Sequence, residues 1–218
     1  FGMAAASTGW SEKRLRAAGR RYEAIYIHPG SHAGYYPGAE TLSLKLLFDP
    51  QTDEILGAQG VGLDGVDKRL DVIATAMAAG MGASELADLE LAYAPQFGSA
   101  KDPINMLGFI AENLTTGIST FVQWQDVTAR QAAGATVIDV RTKAEYAGGA
   151  IPGAVLIPVD ELRERLDEVP DGELIVHCAV GIRAHTAARI LAGHGRVAAN
   201  LSGGYRTWSA GTAATQGR

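Results

Sequence analysis

Short apolar runs alternate with segments of helical pattern through the second half of this chain, and the alternation limits the folds open to it. The apolar runs are TVIDV, AVLIP, LIVHC and RVAANL, and the helical patterns are DVTARQAAG, DELRERLDEV and RAHTAARILAG. Strands that are joined through helices lie parallel in one sheet that is covered on both faces. The second half is therefore expected to be an α/β unit with a parallel sheet.

Two of these helical patterns carry further signals. Asp126 and Gly134 stand where they could cap DVTARQAAG, because Asp is favoured before a helix and Gly after one. Leu162, Leu166 and Val169 have the spacing of a buried stripe along DELRERLDEV. The pattern predicts a helix there with one buried face.

The first half has a different organisation. Residues 41–46 alternate apolar and polar side chains, and turn-forming residues then lead into ILGAQGVG, so residues 41–62 are predicted to form an antiparallel hairpin. A helix is predicted to follow, starting near Asp67 and ending at Gly80. Antiparallel strands beside helices indicate an α+β domain.

A small polar cluster, Thr115-Thr116-Gly117, separates the two patterns. We place the domain boundary there, which gives a first domain of residues 1–117 and a second of residues 118–218.

Charge and composition exclude several classes of partner. The formal net charge is −5, which gives no general attraction to nucleic acid or to an anionic membrane. No apolar stretch approaches the roughly 20 residues needed to span a bilayer, and the first residues lack the pattern of a signal peptide, so a cytoplasmic location is expected. The chain has one cysteine, which can form neither an internal disulfide nor a cysteine-rich zinc site, and no metal is expected.

That cysteine, Cys178, stands at the end of an apolar strand pattern, and Arg183 begins the next helical pattern. A free cysteine is usually a small buried hydrophobe. The four intervening residues, however, are few enough that the backbone must curl and aim several amides at the sulfur; they are Ala179, Val180, Gly181 and Ile182. Such amides, with the positive end of a helix, favour a thiolate. Cys178 is therefore predicted to be a nucleophile.

The histidines offer no obvious catalytic partner. His177 precedes Cys178 within a strand, so the two side chains should point to opposite faces. His185 and His194 have no companions at the spacing of metal ligands. We therefore expect His177 to have a structural role and not to form a catalytic pair with Cys178.

Three motifs in the second half resemble the rhodanese family of sulfurtransferases over residues 120–210. They are IDVRTKAEYAGGAIPGAVLIPVDEL, HCAVGIR and NLSGGYRTW, in the order in which the family has them. The resemblance implies that the cysteine takes a sulfane sulfur from a small persulfide or polysulfide and passes it to a second nucleophile. Phosphatases of the same fold have a loop one residue longer, so the four-residue spacing favours sulfur over phosphate.

By the same resemblance Arg183 closes the anion cradle, and Asp139 and Arg141 lie near the loop as supports. The alternative for Asp139 and Arg141 is a purely structural ion-pair network. Ala150 stands where the family commonly has a histidine, which removes one supporting hydrogen bond.

Four segments of the first half resemble the C-terminal dimerisation domain of pyridine nucleotide-disulfide oxidoreductases, in the coenzyme A-disulfide reductase and NADH oxidase branch. They are ASTGWSEKRLRAAG, SHAGYYPGAETLSLKLLF, LDGVDKRLDVIATAM and LELAYAPQFGSAKDPINMLGFIAEN. The resemblance implies a homodimer in which Tyr35 or Tyr36, with Tyr93, reaches the partner subunit's active site. Gln96 replaces a proline that is usual in this motif.

The sequence has no second cysteine, and we expect the flavin machinery of such reductases to be absent from it. We expect the chain to be the C-terminal part of a longer coenzyme A-disulfide reductase–rhodanese fusion. FAD, NAD(P)H and coenzyme A are then expected for the intact parent enzyme, and no cofactor for this chain. The alternative to a sulfurtransferase is a non-catalytic fragment that dimerises and docks.

Overall fold

The computed structural model describes residues 2–216, and the chain divides into two compact units between Ile118 and Ser119. The first unit is α+β with an antiparallel sheet, and the second is α/β with a parallel sheet. The predicted fold class is confirmed in both.

The sheet of the first unit has four strands in the order β1-β4-β3-β2, and every neighbouring pair is antiparallel. The strands are β1 (Ala4–Gly9), β2 (Glu23–Ile27), β3 (Leu42–Phe48) and β4 (Ile55–Gly62). Alternate leucines of β3 are buried, as the period-two pattern requires. The predicted hairpin is therefore confirmed as β3 and β4, with Leu46 opposite Ala58.

Three α-helices complete this unit: α1 (Glu12–Ala17), α2 (Val66–Ala79) and α3 (Pro103–Thr115). A short 3-10 helix, Ser84–Asp88, precedes α3. Helix α2 ends as predicted at Gly80, which adopts a left-handed conformation with φ of 75°. Its backbone N–H donates to carbonyls of the last turn, those of Ala76 and Met77. Asp102 caps α3 and also holds the buried guanidinium of Arg69.

The parallel sheet of the second unit has the order β5-β9-β8-β6-β7. Its strands are β5 (Phe121–Val122), β6 (Thr136–Asp139), β7 (Val155–Leu156), β8 (Leu174–His177) and β9 (Ala198–Leu201). The helices around it are α4 (Val127–Ala132), α5 (Lys143–Ala147), α6 (Ile182–Gly193) and α7 (Gly204–Gln216). Strand β8 is central, so the residue after it lies at the middle of one sheet edge.

The two faces of this sheet bury different clusters. Leu174, Val176 and Cys178 belong to the cluster on one face, and Ile175 belongs to the cluster on the other. The alternation follows the pleat of β8 and places Cys178 among apolar side chains.

The segment DELRERLDEV is not an α-helix, and that prediction is wrong. Prolines 158 and 170 bracket it, and the chain between them forms successive turns with hydrogen bonds three residues apart, ending in a 3-10 helix, Leu166–Glu168. Pro170 disfavours the α conformation at the residue before it, and Val169 is extended with ψ of 118°, which ends the segment. The apolar positions were nonetheless identified correctly, because Leu162 and Val169 are buried and Leu166 packs against the core.

The expected caps of α4 are half right. Asp126 precedes the helix but makes no side-chain cap bond, since it already belongs to a 3-10 helix, Trp124–Asp126. Gly134 follows the helix with φ of 104°, a conformation that favours glycine.

Candidate active site

The centre of the site is the loop between β8 and α6. Cys178 follows the last residue of β8, is only 1% exposed, and accepts a hydrogen bond on Sγ from the backbone N–H of Gly181 at 3.1 Å. Gly181 has φ of 104°, a conformation in which an L side chain would be strained. This glycine lets the chain curl within three residues and turn an amide toward the sulfur.

The predicted loop residues Ala179, Val180, Gly181 and Ile182 do lie between the strand and the helix, and Ile182 is the first residue of α6. Gly181 is the one among them whose N–H reaches Sγ within hydrogen-bond distance. None of the four side chains can carry a charge, so the loop itself contributes only backbone amides as polar groups near the sulfur.

Helix α7 and strand β9 support the loop through hydrogen bonds that the sequence did not predict. The N–H groups of Tyr205 and Arg206, in the first turn of α7, donate to the carbonyls of Cys178 at 2.8 Å and Ala179 at 3.0 Å. Asn200 Nδ2 donates to the carbonyl of Gly181 at 3.1 Å. The motif NLSGGYRTW was the available signal, but sequence spacing does not say which carbonyls it would contact.

The first residue of α7 must be a glycine for this contact to form. Gly204 has φ of 61°, and a Cβ atom there would lie 2.5 Å from the carbonyl oxygen of Cys178 and 2.8 Å from the carbonyl carbon of Ala179. Both distances are far inside van der Waals contact. The close approach of α7 to the cysteine loop therefore depends on the missing side chain.

Arg183 lies in the first turn of α6 and forms a bidentate ion pair with Glu145. Its Nη1 donates to Oε2 at 2.8 Å and its Nη2 to Oε1 at 2.6 Å. These bonds lower the pKa of Glu145 to about 2 and raise the pKa of Arg183, which attraction to the Cys178 sulfur raises further. Glu145 was not predicted; its spacing from Thr142 signals a helix cap but not this ion pair.

Asp139 and Arg141 form a second pair, which is buried. Arg141 Nε and Nη2 donate to both carboxylate oxygens of Asp139, and Nη2 also donates to the carbonyl of Gly149 at 2.7 Å. The guanidinium lies 4.1 Å from the centre of the Tyr205 ring. These contacts form a buried ion-pair network beside the loop.

His177 is fully buried on the face of β8 opposite Cys178, where its ring stacks on Tyr205 at 6.2 Å. Burial lowers its pKa to about 4, although Asp139 acts in the opposite direction. Its Nε2 atom has no hydrogen bond to the described residues and lies 3.5 Å from Asp139 Oδ2. A neutral ring on the other face does not serve as a base for the thiol.

In the first unit, two of the three predicted tyrosines meet. The hydroxyls of Tyr35 and Tyr93 are 2.9 Å apart, and this hydrogen bond raises the pKa of Tyr93. Tyr36 instead packs edge-on against the His32 ring at 5.8 Å. All three tyrosines are exposed.

Gln96 lies in a turn closed by a hydrogen bond from the Phe97 N–H to the Ala94 carbonyl.

Over residues 2–216 no group of three or more His, Cys, Asp or Glu side chains is placed to hold a metal ion. No helix in the same range has the length and apolarity that a bilayer span requires.

Two known protein families match the chain. Residues 1–102 match the dimerisation domain of pyridine nucleotide-disulphide oxidoreductases, and residues 123–211 match the rhodanese-like domain. Among curated proteins, the coenzyme A disulfide reductase of Staphylococcus haemolyticus is 42% identical over 93 residues, which is 43% of this chain and 21% of that protein.

Two solved structures match nearly the whole chain. The reduced CoADR-RHD of Bacillus anthracis is 44% identical with a TM-score of 0.94, over 96% of this chain and 38% of that one. An NAD-dependent persulfide reductase from A. fulgidus is 37% identical with a TM-score of 0.85, over 95% of this chain and 38% of that one.

The fold and the site thus define a dimerisation domain of the pyridine nucleotide-disulphide oxidoreductase type joined to a rhodanese-like domain. The chain is similar to coenzyme A disulfide reductases and to the CoADR-RHD structure, as its sequence motifs had indicated, and it spans 38% of the length of the two matched structures.

Proposed function

We propose that the second unit is a sulfurtransferase in which Cys178 carries a sulfane sulfur as a persulfide. The observation that carries this proposal is the Gly181 N–H aimed at Sγ, in a four-residue loop at the end of the central strand. A backbone donor at this position stabilises negative charge on the sulfur without requiring a neighbouring base.

The transfer takes two displacements. The Cys178 thiolate attacks the outer sulfur of a donor persulfide, the sulfur–sulfur bond of the donor breaks, and the donor thiol leaves with the electron pair as a thiolate. A second nucleophile then attacks the outer sulfur of the Cys178 persulfide, and Cys178 leaves as the regenerated thiolate. No net oxidation or reduction is needed, because each step exchanges one sulfur–sulfur bond for another bond to the same sulfur.

In this proposal the amides of Ala179, Val180, Gly181 and Ile182 form the cradle, with Gly181 bonded directly to the sulfur. Arg183 contributes positive charge at the mouth of the loop. Asp139 and Arg141 keep the neighbouring sheet edge in place through their buried pair.

For the first unit we propose homodimerisation, as its family is a dimerisation domain. The hydroxyl pair of Tyr35 and Tyr93 would donate a hydrogen bond to a departing thiolate in the partner subunit's reductase site. In a whole protein of this kind the reductase chemistry would require FAD, NAD(P)H and coenzyme A.

A turnover assay with cyanide as acceptor tests the sulfurtransferase. The chain should form thiocyanate from a sulfane donor, and Cys178→Ser should abolish turnover, because a serine hydroxyl forms no persulfide and is a far weaker nucleophile near neutral pH. Glu173→Gln, at the opposite end of β8, serves as a folded control that keeps wild-type turnover. Equal rates for Cys178→Ser and the wild-type protein would contradict the proposal.

One observation favours the second candidate, a non-catalytic module that dimerises and docks: Cys178 is almost fully buried. In that case Cys178 would take up no sulfur from any donor. An aryl phosphate should not be hydrolysed under either reading, since the loop is short for a phosphate.

A further inference from the structure

The cations beside the cysteine loop are already paired. Arg183 is the cation closest in sequence to the loop. Both of its Nη atoms donate hydrogen bonds to the carboxylate oxygens of Glu145. Arg141 is buried and bonded to both oxygens of Asp139. A donor that enters the site therefore meets few positive charges that lack a partner.

Glu145 is itself held in place before any donor arrives. It caps α5, and its Oε2 accepts hydrogen bonds from the Thr142 N–H at 2.9 Å and the Thr142 hydroxyl at 3.0 Å. These bonds fix the carboxylate through α5, so that Arg183 is oriented by a second element and not only by α6.

The local charge balance follows from these contacts. A Cys178 thiolate and the Glu145 carboxylate each carry one negative charge, and Arg183 carries one positive charge. The loop side chains add none. Arg206 is the exposed cation whose backbone also contacts the loop, through the Ala179 carbonyl. With the thiolate formed, Cys178, Glu145 and Arg183 together are net negative.

We propose that Glu145 determines donor specificity by offsetting Arg183. The site would disfavour dianionic inorganic donors such as thiosulfate and favour persulfides of organic thiols, whose attacked sulfur bears at most one negative charge. This inference rests on the proposed sulfur transfer and adds to it a residue that discriminates between donors.

Both donor classes give the same covalent product. With thiosulfate, the Cys178 thiolate bonds to the sulfane sulfur, the sulfur–sulfur bond breaks, and sulfite leaves with the electron pair. With an organic persulfide, the leaving group is a thiolate. The difference lies in the charge that must approach Glu145 and the thiolate, which is larger for thiosulfate.

The test compares Glu145→Gln with the wild-type protein, using thiosulfate and glutathione persulfide as donors and cyanide as acceptor. Glutamine keeps the cap of α5, because Gln serves at this position as Glu does, but it removes the charge. We expect kcat/KM for thiosulfate to rise at least about threefold, mainly through a lower KM, as the loss of one partly exposed charge implies. The value for glutathione persulfide should change by less than about twofold, since its attacked sulfur bears at most one negative charge and its carboxylates lie several bonds away.

Two further variants separate specificity from other effects. Glu173→Gln removes the same charge from another arginine pair, Arg130–Glu173, at the opposite end of β8, and should leave both donors unaffected. Adding Arg183→Gln to Glu145→Gln should abolish the gain, because the gain depends on a released Arg183.

Several outcomes would overturn the inference: no gain with thiosulfate, an equal gain with both donors, or the same gain in Glu173→Gln. Wild-type use of thiosulfate as good as that of glutathione persulfide, lost in Arg206→Gln, would also overturn it, since Arg206 would then supply the free cation. If the wild-type protein takes up sulfur from neither donor, the proposed sulfur transfer itself fails. Uptake from the persulfide without a gain in Glu145→Gln contradicts the specificity inference alone.

Discussion

A buried thiol is reactive only if something stabilises its anion, and at Cys178 the backbone N–H of Gly181 provides such a contact. The residue before it has the opposite role. His177 is buried against Tyr205 and Asp139 on the other face of β8, and burial holds its pKa near 4, so the ring is neutral at physiological pH. Neighbouring residues in one strand thus belong to two separate environments, one suited to a nucleophile and one to packing.

His177 leads to a prediction about stability and pH. Its pKa is about 4 in the folded chain against 6.5 for an ordinary histidine, so the unfolded state binds more protons between these two pH values. The free energy of unfolding should therefore fall as the pH drops from about 6.5 to about 4, by roughly 3 kcal/mol. Urea unfolding of the wild-type protein and His177→Gln at pH 7 and pH 4.5 measures it, and His177→Gln should lose less stability on acidification.

The exposed His194, replaced by Gln in the same way, is the matched control and should keep the wild-type dependence. Identical pH profiles for His177→Gln and the wild-type protein would show that His177 is not buried in its neutral form.

At the scale of elements, the site is a junction of three: β8 ends at the cysteine, α6 begins after the loop, and α7 supports the loop through its first amides. Glycines allow both the turn and the close contact. Gly181 turns the loop, and Gly204 lets α7 approach the carbonyl of Cys178. The geometry of the sulfur thus depends on backbone atoms more than on side chains.

Gly204→Ala should disrupt this junction. The new Cβ would overlap the Cys178 carbonyl, at a position where a left-handed backbone already disfavours a side chain. We expect a loss of at least about 2 kcal/mol in stability and a large fall in sulfur transfer. Thermal unfolding and the thiocyanate assay measure the two effects.

Gly193→Ala is the matched control, because Gly193 is the last residue of α6 and nothing lies within 4 Å of a Cβ placed there. It should be neutral or slightly stabilising. If Gly204→Ala behaved like this control, the close packing of α7 on the loop would be wrong.

Elements with a local pattern could be predicted from the sequence. The β3–β4 hairpin, α2 and the parallel strands each follow from periodicity within one short segment. DELRERLDEV shows the limit, since its spacing identified the buried side chains but not the turns of its backbone. The Arg183–Glu145 pair joins residues 38 positions apart, and the contacts of α7 with the loop join residues 27 positions apart. Only folding of the sheet brings such partners together.

On the scale of the whole molecule, the chain has two units, and each has its own sheet. The second contains the candidate sulfur-transfer site. The first exposes several aromatic side chains in neighbouring segments: Tyr35, Tyr36, Tyr93 and Phe97. Exposed apolar groups of this kind are typical of a surface that another protein covers, which agrees with a dimerisation domain.

We therefore predict a dimer that depends on this surface. Phe97→Glu should weaken it, because Phe97 is 66% exposed in the free chain and a buried unpaired carboxylate is costly at an interface. Sedimentation velocity over a range of concentrations should show a dimer for the wild-type protein and a shift toward monomer for the variant. Val197→Glu, at a residue 80% exposed in the second unit, should not change the dimer. A wild-type protein that stays monomeric at high concentration would contradict the prediction.

Intact-protein mass spectrometry after exposure to glutathione persulfide shows whether Cys178 carries sulfur. We expect the wild-type chain to gain the mass of one sulfur atom, located on Cys178 by peptide mapping and removed by cyanide as thiocyanate. A wild-type chain whose Cys178 gains no sulfur under these conditions would contradict the proposed sulfur transfer and favour a docking module.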